Sequence, residues 1–242
     1  RAVPGRDSID LLVRDLRRDL AAGGVDVRLG VEATAASLRD ARPDGIVVAT
    51  GAVAPLTTAR AIGGAYVGGF PGEVTVDAFA AASDPTALGR RIAVIDADGT
   101  AYASGIVLTL LAAVDELTLI TPFETAFPHV GAGYDRPLLF EHLSAHRGFD
   151  RRVSHRVDWV EGGYLAVSDV LTGRLTTLDG LDAIVAIEPR SAVLIPGLED
   201  DGLPHTRIVT IGDAFAPRTI DAAIFEAVEL AYDIAGMATL RG

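Results

Sequence analysis

Two short turns far apart in this chain, Val47-Val48-Ala49-Thr50-Gly51-Ala52 and Val209-Thr210-Ile211-Gly212-Asp213-Ala214, constrain its fold more than any other feature. Each closes an apolar, β-branched run with a glycine. Such runs mark strands buried on both faces of a parallel sheet. A glycine at the strand's carboxyl end lets another group come close to the backbone, and ligands of open α/β sheets sit at those ends. The second turn adds the carboxylate of Asp213, and Pro217 followed by Thr219 to Ile234 reads as a helix with proline in its first turn. Either turn alone is also what plain sheet topology asks of an α/β protein. The pair, in this order and with a second α/β unit between them, points to a ligand crevice.

Composition narrows the classes. The chain has 242 residues, 49% hydrophobic with 26 Gly, enough for one large or two small α/β domains with a sizeable core. A net charge of −12 repels phosphate backbones and anionic lipid surfaces, so nucleic acid and membrane are not expected partners. The absence of cysteine excludes disulfides, thiolate catalysis and an iron–sulfur cluster held by this chain. All 21 basic residues are arginine, which excludes a Schiff-base lysine and a phosphate-loop lysine. The longest mainly apolar run, Ile106 to Val114, is too short for the roughly 20 residues of a membrane span. No signal segment opens the chain, so the expected location is the cytoplasm. With Arg1 at its head and Met237 as its one methionine, the chain is expected to be a fragment, a processed product or an isolated domain.

Hydrophobic periodicity orders the elements. Ser8 to Ala22 is an amphipathic helix with Ile9, Leu12, Val13, Leu16 and Leu20 on one stripe, ended by Gly23-Gly24. Val25 to Leu29 and Gly45 to Ala49 read as strands, Ala52 to Gly72 as a loop, and Val74 to Ala82 as a short helix. At Gly89 the pattern restarts as a βαβ unit: strand Ile92 to Ile95, helix Ala101 to Ala113, strand Leu117 to Ile120. A helix is expected over Tyr134 to His146, an antiparallel meander over Val153 to Thr177, and further strands at Ala183 to Ile187 and Arg207 to Ile211. These give one unit of residues 1–88 with 179–242, interrupted by a second of residues 89–178.

Three phrases carry a family resemblance: Gly23-Gly24-Val25-Asp26-Val27-Arg28-Leu29-Gly30, Asp44-Gly45-Ile46-Val47-Val48-Ala49-Thr50-Gly51 and, most specific, Ile211-Gly212-Asp213-Ala214-Phe215-Ala216-Pro217-Arg218. Over nearly the whole chain they resemble the C-terminal half of the trimethylamine dehydrogenase and 2,4-dienoyl-CoA reductase flavoproteins, an old yellow enzyme-like family. The resemblance implies an α/β fold of two three-layer, Rossmann-like lobes, one binding FAD or ADP and the other inserted in it. In that family a flavin mononucleotide barrel and an iron–sulfur cluster come first, and neither is in this sequence; the Gly-rich fingerprint of the first nucleotide unit is also missing. By resemblance, Gly212 and Asp213 approach the middle of the dinucleotide, with Asp213 reaching a ribityl or ribose hydroxyl. Thr50 and Gly51 line the same crevice, and Val31, Glu32 and Ala33 lie beside the adenine. Arg218 contacts phosphate or pairs with Asp221.

The function so implied is the nucleotide-binding portion of a flavin-dependent oxidoreductase of the amine dehydrogenase or enoate and dienoyl-CoA reductase type, supporting electron transfer. The alternative is a non-catalytic interaction or structural module derived from such an enzyme. Help in binding is expected from the N-terminal region or a partner subunit. A sheet edge left open by the absent strand calls for cover, hence an expected homo-oligomer.

The inserted unit lacks the glycines that let a backbone approach pyrophosphate. After Ile92 to Ile95 the chain reads Asp96-Ala97-Asp98-Gly99-Thr100-Ala101, which sets Asp96, Asp98 and Ala101 at the three glycine positions. Each carboxylate facing a diphosphate at about 4 Å costs about 1 kcal/mol in water and about 4 at an intermediate dielectric. NAD(P) binding is therefore disfavoured, which suits the amine dehydrogenase branch better than the NADPH-using one. The two aspartates are read as a helix cap, a metal site or a partner for ribose hydroxyls. His142 and His146 stand i, i+4 on a helix, as metal ligands or as plain exposed residues. His129, His155 and His205 are isolated, Trp159 reads as a packing residue, and no catalytic constellation is found.

Overall fold

A computed structural model describes residues 7–53, 75–131, 135–161, 164–198 and 206–241. In chain order the elements are α1 (Asp7–Ala22), α2 (Ala35–Ala41), β1 (Gly45–Val48), β2 (Ala52–Val53), β3 (Thr75–Asp77) and α3 (Ala78–Ser83). There follow β4 (Arg91–Asp96), α4 (Ala101–Leu111), β5 (Glu116–Ile120), α5 (Asp135–Ala145), β6 (Phe149–Arg152), β7 (His155–Glu161), β8 (Tyr164–Asp169) and β9 (Leu175–Leu178). The last are β10 (Ala183–Ile187), β11 (Ser191–Ala192), β12 (Arg207–Thr210) and α6 (Ile220–Arg241). The chain forms two compact units, Arg1–Gly23 with Leu56–Pro189 and Gly24–Pro55 with Arg190–Gly242.

The first unit is built on a wholly parallel five-stranded sheet in the order β3-β10-β4-β5-β6. Period-two alternation sorts its side chains onto two faces. Ile92, Val94, Leu117, Leu119, Val185 and Ile187 pack with Ile106, Val107 and Leu110 of α4 and Leu143 of α5. Ala93, Ile95, Ile120 and Ile184 face the other way, onto Val157, Val160, Leu165 and Val167 of the antiparallel sheet β7-β8-β9. The unit thus has three layers: helices, parallel sheet, meander. Each fully buried Ile or Leu contributes about 1.5–3 kcal/mol to holding them together.

Several sequence readings change here. The strand Ala183–Ile187 belongs to this inserted unit, because β10 runs between β3 and β4. The two compact units divide the chain differently from the sequence reading of 1–88 with 179–242 around 89–178: residues 56–189 go with 1–23, and 24–55 go with 190–242. Residues 75–77, read as part of a helix, are a strand paired to β10, and the helix begins at Ala78. The edge strand β6 went unread, since Phe149-Asp150-Arg151-Arg152 lacks apolar alternation. Trp159 is 42% exposed, because a bulge between Val157 and Trp159 shifts the strand's phase and turns Val157 and Val160 inward. In α1 the apolar stripe stays in the open, with Val13, Leu16 and Leu20 exposed.

In the second unit β1 and β12 pair in parallel, Gly45 opposite Arg207 through Val48 opposite Thr210, and β2 pairs antiparallel with β11. Ile46, Val48, Leu198 and Ala214 form its core. Thr34 caps α2 in a capping box with Ser37. Val25 to Leu29, expected as a strand, is irregular and exposed. It lies between Gly24 and Gly30, both at positive φ, and pairs with no strand among the described residues. Most of the expected loop Ala52 to Gly72 lies outside the described residues. No helix among those described is long and apolar enough to cross a membrane.

Candidate functional site

The register of β1 against β12 sets the two Gly-containing turns side by side at the carboxyl end of the pair. Ile211 N–H donates to Val48 O at 3.0 Å and extends the ladder one step beyond the strands. Thr50 and Gly51 follow on one strand, Gly212 and Asp213 on the other. Gly51 (φ +76°) has open space where a Cβ would stand, so its backbone is what another group can approach. Gly212 (φ +61°) lies in the left-handed region that favours glycine, and a Cβ there would stand 3.4 Å from the Cβ of Ala223, which shows α6 lying against the turn. Thr50 Oγ1 donates to Val193 O, and Val193 N–H donates to Gly51 O at 2.9 Å, which ties the first turn to the strand β11 segment.

Asp213 is held by two groups. Arg190 Nη1 meets its Oδ2 at 2.6 Å, with both side chains only about a fifth exposed (23% and 20%), and Arg218 N–H donates to its Oδ1 at 2.9 Å. Arg190 Nη2 also donates to Arg218 O at 2.9 Å, while its Nε is buried without a partner. Gly212 N–H donates to Glu226 Oε2 at 2.7 Å, and Arg218 Nη2 pairs with Glu226 Oε1. These two donors hold the Glu226 carboxyl below the usual carboxylate range. Arg218 therefore pairs with Glu226 and not with Asp221, whose own carboxyl is lowered by the Thr219 hydroxyl and nearby backbone N–H groups. Pro217 precedes the helix, which starts at Ile220.

Thr50, Gly51, Gly212, Asp213 and Arg218 are thus gathered at one strand end. Val31, Glu32 and Ala33 lie in an exposed irregular stretch before α2. Sequence reasoning missed Arg190 and Glu226. The one available signal was Glu226 itself, a carboxylate interrupting the run Ala222-Ala223-Ile224-Phe225-Glu226-Ala227-Val228.

In the first unit the corresponding turn after β4 is closed by its own side chains. The Asp96 side chain is fully buried, and its Oδ1 accepts from Asp98 N–H at 3.0 Å and Gly99 N–H at 2.8 Å. Burial pushes its pKa up to about 6, against the lowering effect of those two N–H groups, and its Oδ2 has no partner. The cap of α4 is Thr100, whose Oγ1 accepts from Tyr102 N–H and pairs with Asp98 Oδ2. The aspartates accordingly stand behind the cap and do not provide it. His142 Nδ1 donates to Leu138 O at 2.8 Å, within its own helix. Among the described residues no three His, Cys, Asp or Glu side chains are placed to hold a metal ion. His129 stands edge-on to Phe123, His155 Nδ1 donates to Val153 O, and His205 lies outside the described residues.

No family model and no curated protein matches the chain. Solved structures do. The chain is similar to 2-naphthoyl-CoA reductase in complex with 2-naphthoyl-CoA (TM-score 0.73, 17% identity, 92% of this chain and 32% of that one). It is also similar to histamine dehydrogenase from Rhizobium sp. 4-9 (TM-score 0.70, 19% identity, 91% of this chain and 35% of that one). A third is thioredoxin reductase from Lactococcus lactis (TM-score 0.54, 17% identity, 78% and 65%). The chain spans about a third of the length of the first two. At these identities the likeness is one of fold, and that fold is the Rossmann-like α/β arrangement.

Proposed function

We propose that this chain is the nucleotide-binding portion of a flavin-dependent oxidoreductase of the trimethylamine dehydrogenase and 2,4-dienoyl-CoA reductase type, holding FAD or ADP at the β1 and β12 strand ends. The observation that carries the reading is the meeting of Thr50, Gly51, Gly212 and Asp213 at one end of a parallel pair, in a fold also found in a dehydrogenase and a reductase. The residues fit such a group. Gly51 offers open backbone, Asp213 is fixed by Arg190 and keeps acceptor capacity for a ribose or ribityl hydroxyl, and Arg218 supplies charge for phosphate. FAD, when bound, supplies the electron-transfer chemistry; these residues bind and orient it. The turn at Asp96 supports assigning the nucleotide to this unit, because two of its N–H groups serve a fully buried carboxylate of the turn itself, whereas the carboxylate on the Gly212 N–H, Glu226, reaches in from α6. Help in binding is assigned to an N-terminal region or partner subunit, and self-association to the β1 and β12 pair, which no further strand joins among the described residues.

Calorimetric titration of the 242-residue chain with ADP and FAD tests this. Both are expected to bind, and Asp213→Ala to weaken FAD roughly tenfold, the loss of one charged hydrogen bond. A second reading, a non-catalytic module, is favoured by one observation: the Thr50 hydroxyl, the Gly212 N–H and both Asp213 oxygens already have partners within the chain. On that reading neither nucleotide gives heat.

A further inference from the structure

We infer that Glu226 is an internal stand-in for the phosphate of the nucleotide, and that a ligand phosphate binds by displacing it. The inference rests on the nucleotide reading of the same site. One oxygen of Glu226 takes the Gly212 N–H at 2.7 Å, and the other takes the Arg218 guanidinium. A backbone N–H at a strand end beside a guanidinium is the donor set that two oxygens of a phosphate accept. Here a carboxylate from two turns into α6 fills it, on a side chain about a fifth exposed, while Arg218 remains 43% exposed.

The charges reinforce the geometry. Arg190 and Arg218 balance Asp213 and Glu226, so the set is neutral as it stands. A pyrophosphate added beside Glu226 meets a like charge at hydrogen-bond range, whereas one that displaces it inherits Arg218 and the Gly212 N–H. Asp213 keeps its own two donors, Arg190 Nη1 and the Arg218 N–H, which are separate from the pair that Glu226 occupies. Arg218 is anchored through Nε to Ala216 O at 3.2 Å and keeps its place when its partner changes. Glu226 thus sets a threshold that a phosphate-bearing ligand must exceed and that an uncharged nucleoside does not meet.

The test compares ADP with adenosine on the wild-type chain, Glu226→Gln and Glu226→Ala, by calorimetry, with circular dichroism to show that the helix content is kept. Removing the charge is expected to tighten ADP roughly tenfold and leave adenosine unchanged. Inorganic pyrophosphate is expected to shift the Gly212 amide resonance at lower concentration in Glu226→Gln than in wild type. If ADP and adenosine bind but both variants leave ADP unchanged or weaken it, the inference fails and the nucleotide reading stands. If neither ligand binds any of the three proteins, both fail.

Discussion

Asp96 carries its charge where the sheet leaves it no water, and stability should report that. Its folded-state pKa, about 6, lies above the usual 3.8, so the folded protein binds this proton more tightly than the unfolded chain does. The stabilisation is fully present below about pH 4 and is lost as pH rises to and through 6. The shift corresponds to about 3 kcal/mol. Asp96→Asn keeps the acceptor for Asp98 and Gly99 and removes the charge. Urea denaturation is expected to show the variant matching wild type near pH 3.5 and exceeding it by up to about 3 kcal/mol at pH 8; equal stability at pH 8 would contradict the burial argument. At this scale the strand-end residues Thr50, Gly51, Gly212 and Asp213 were legible, because a β-branched run closing on glycine is a local pattern. Arg190 and Glu226 were not. They reach Asp213 and Gly212 across 23 and 14 residues, and no local pattern encodes that.

Among the elements, those buried on both faces announced themselves. β4, α4, β5 and β10 carry long apolar runs whose period leaves little choice. The failures have physical causes: β6 is a polar edge strand, β3 has three residues, and Val25 to Leu29 alternates correctly but has no pairing strand among the described residues. The entry to β6 also holds a sharp packing constraint. A Cβ on Gly148 would stand 1.7 Å from the Asp115 carbonyl oxygen, and Gly148 O accepts from Leu117 N–H at 2.8 Å. The obstacle is backbone, which has no rotamer to move. Gly148→Ala is expected to cost about 3 kcal/mol, the upper end of overpacking penalties, read as a lower urea midpoint at unchanged slope. A loss under about 0.5 kcal/mol would mean that β5 and β6 approach less closely than described.

As a whole molecule the chain is two units of unequal completeness. The inserted one owns the five-stranded sheet, the meander and, among the described residues, most of the buried apolar side chains. The outer one has a parallel pair and a small core, with Phe225 and Tyr232 of α6 exposed. The sequence reading put Ala183–Ile187 in the other unit because β10, read alone, fits either sheet; its pairing partners decide. On the proposed function nucleotide binding belongs to the outer unit, where the space beside the Gly51 Cα is open, and not to the inserted one, where Asp96 takes the N–H groups of its own turn. Amide chemical-shift mapping during an ADP titration tests that assignment directly. Shifts are expected at Thr50, Gly51, Gly212 and Asp213 with Asp96 to Ala101 unmoved; shifts confined to Asp96 to Ala101, or none anywhere, would overturn the assignment.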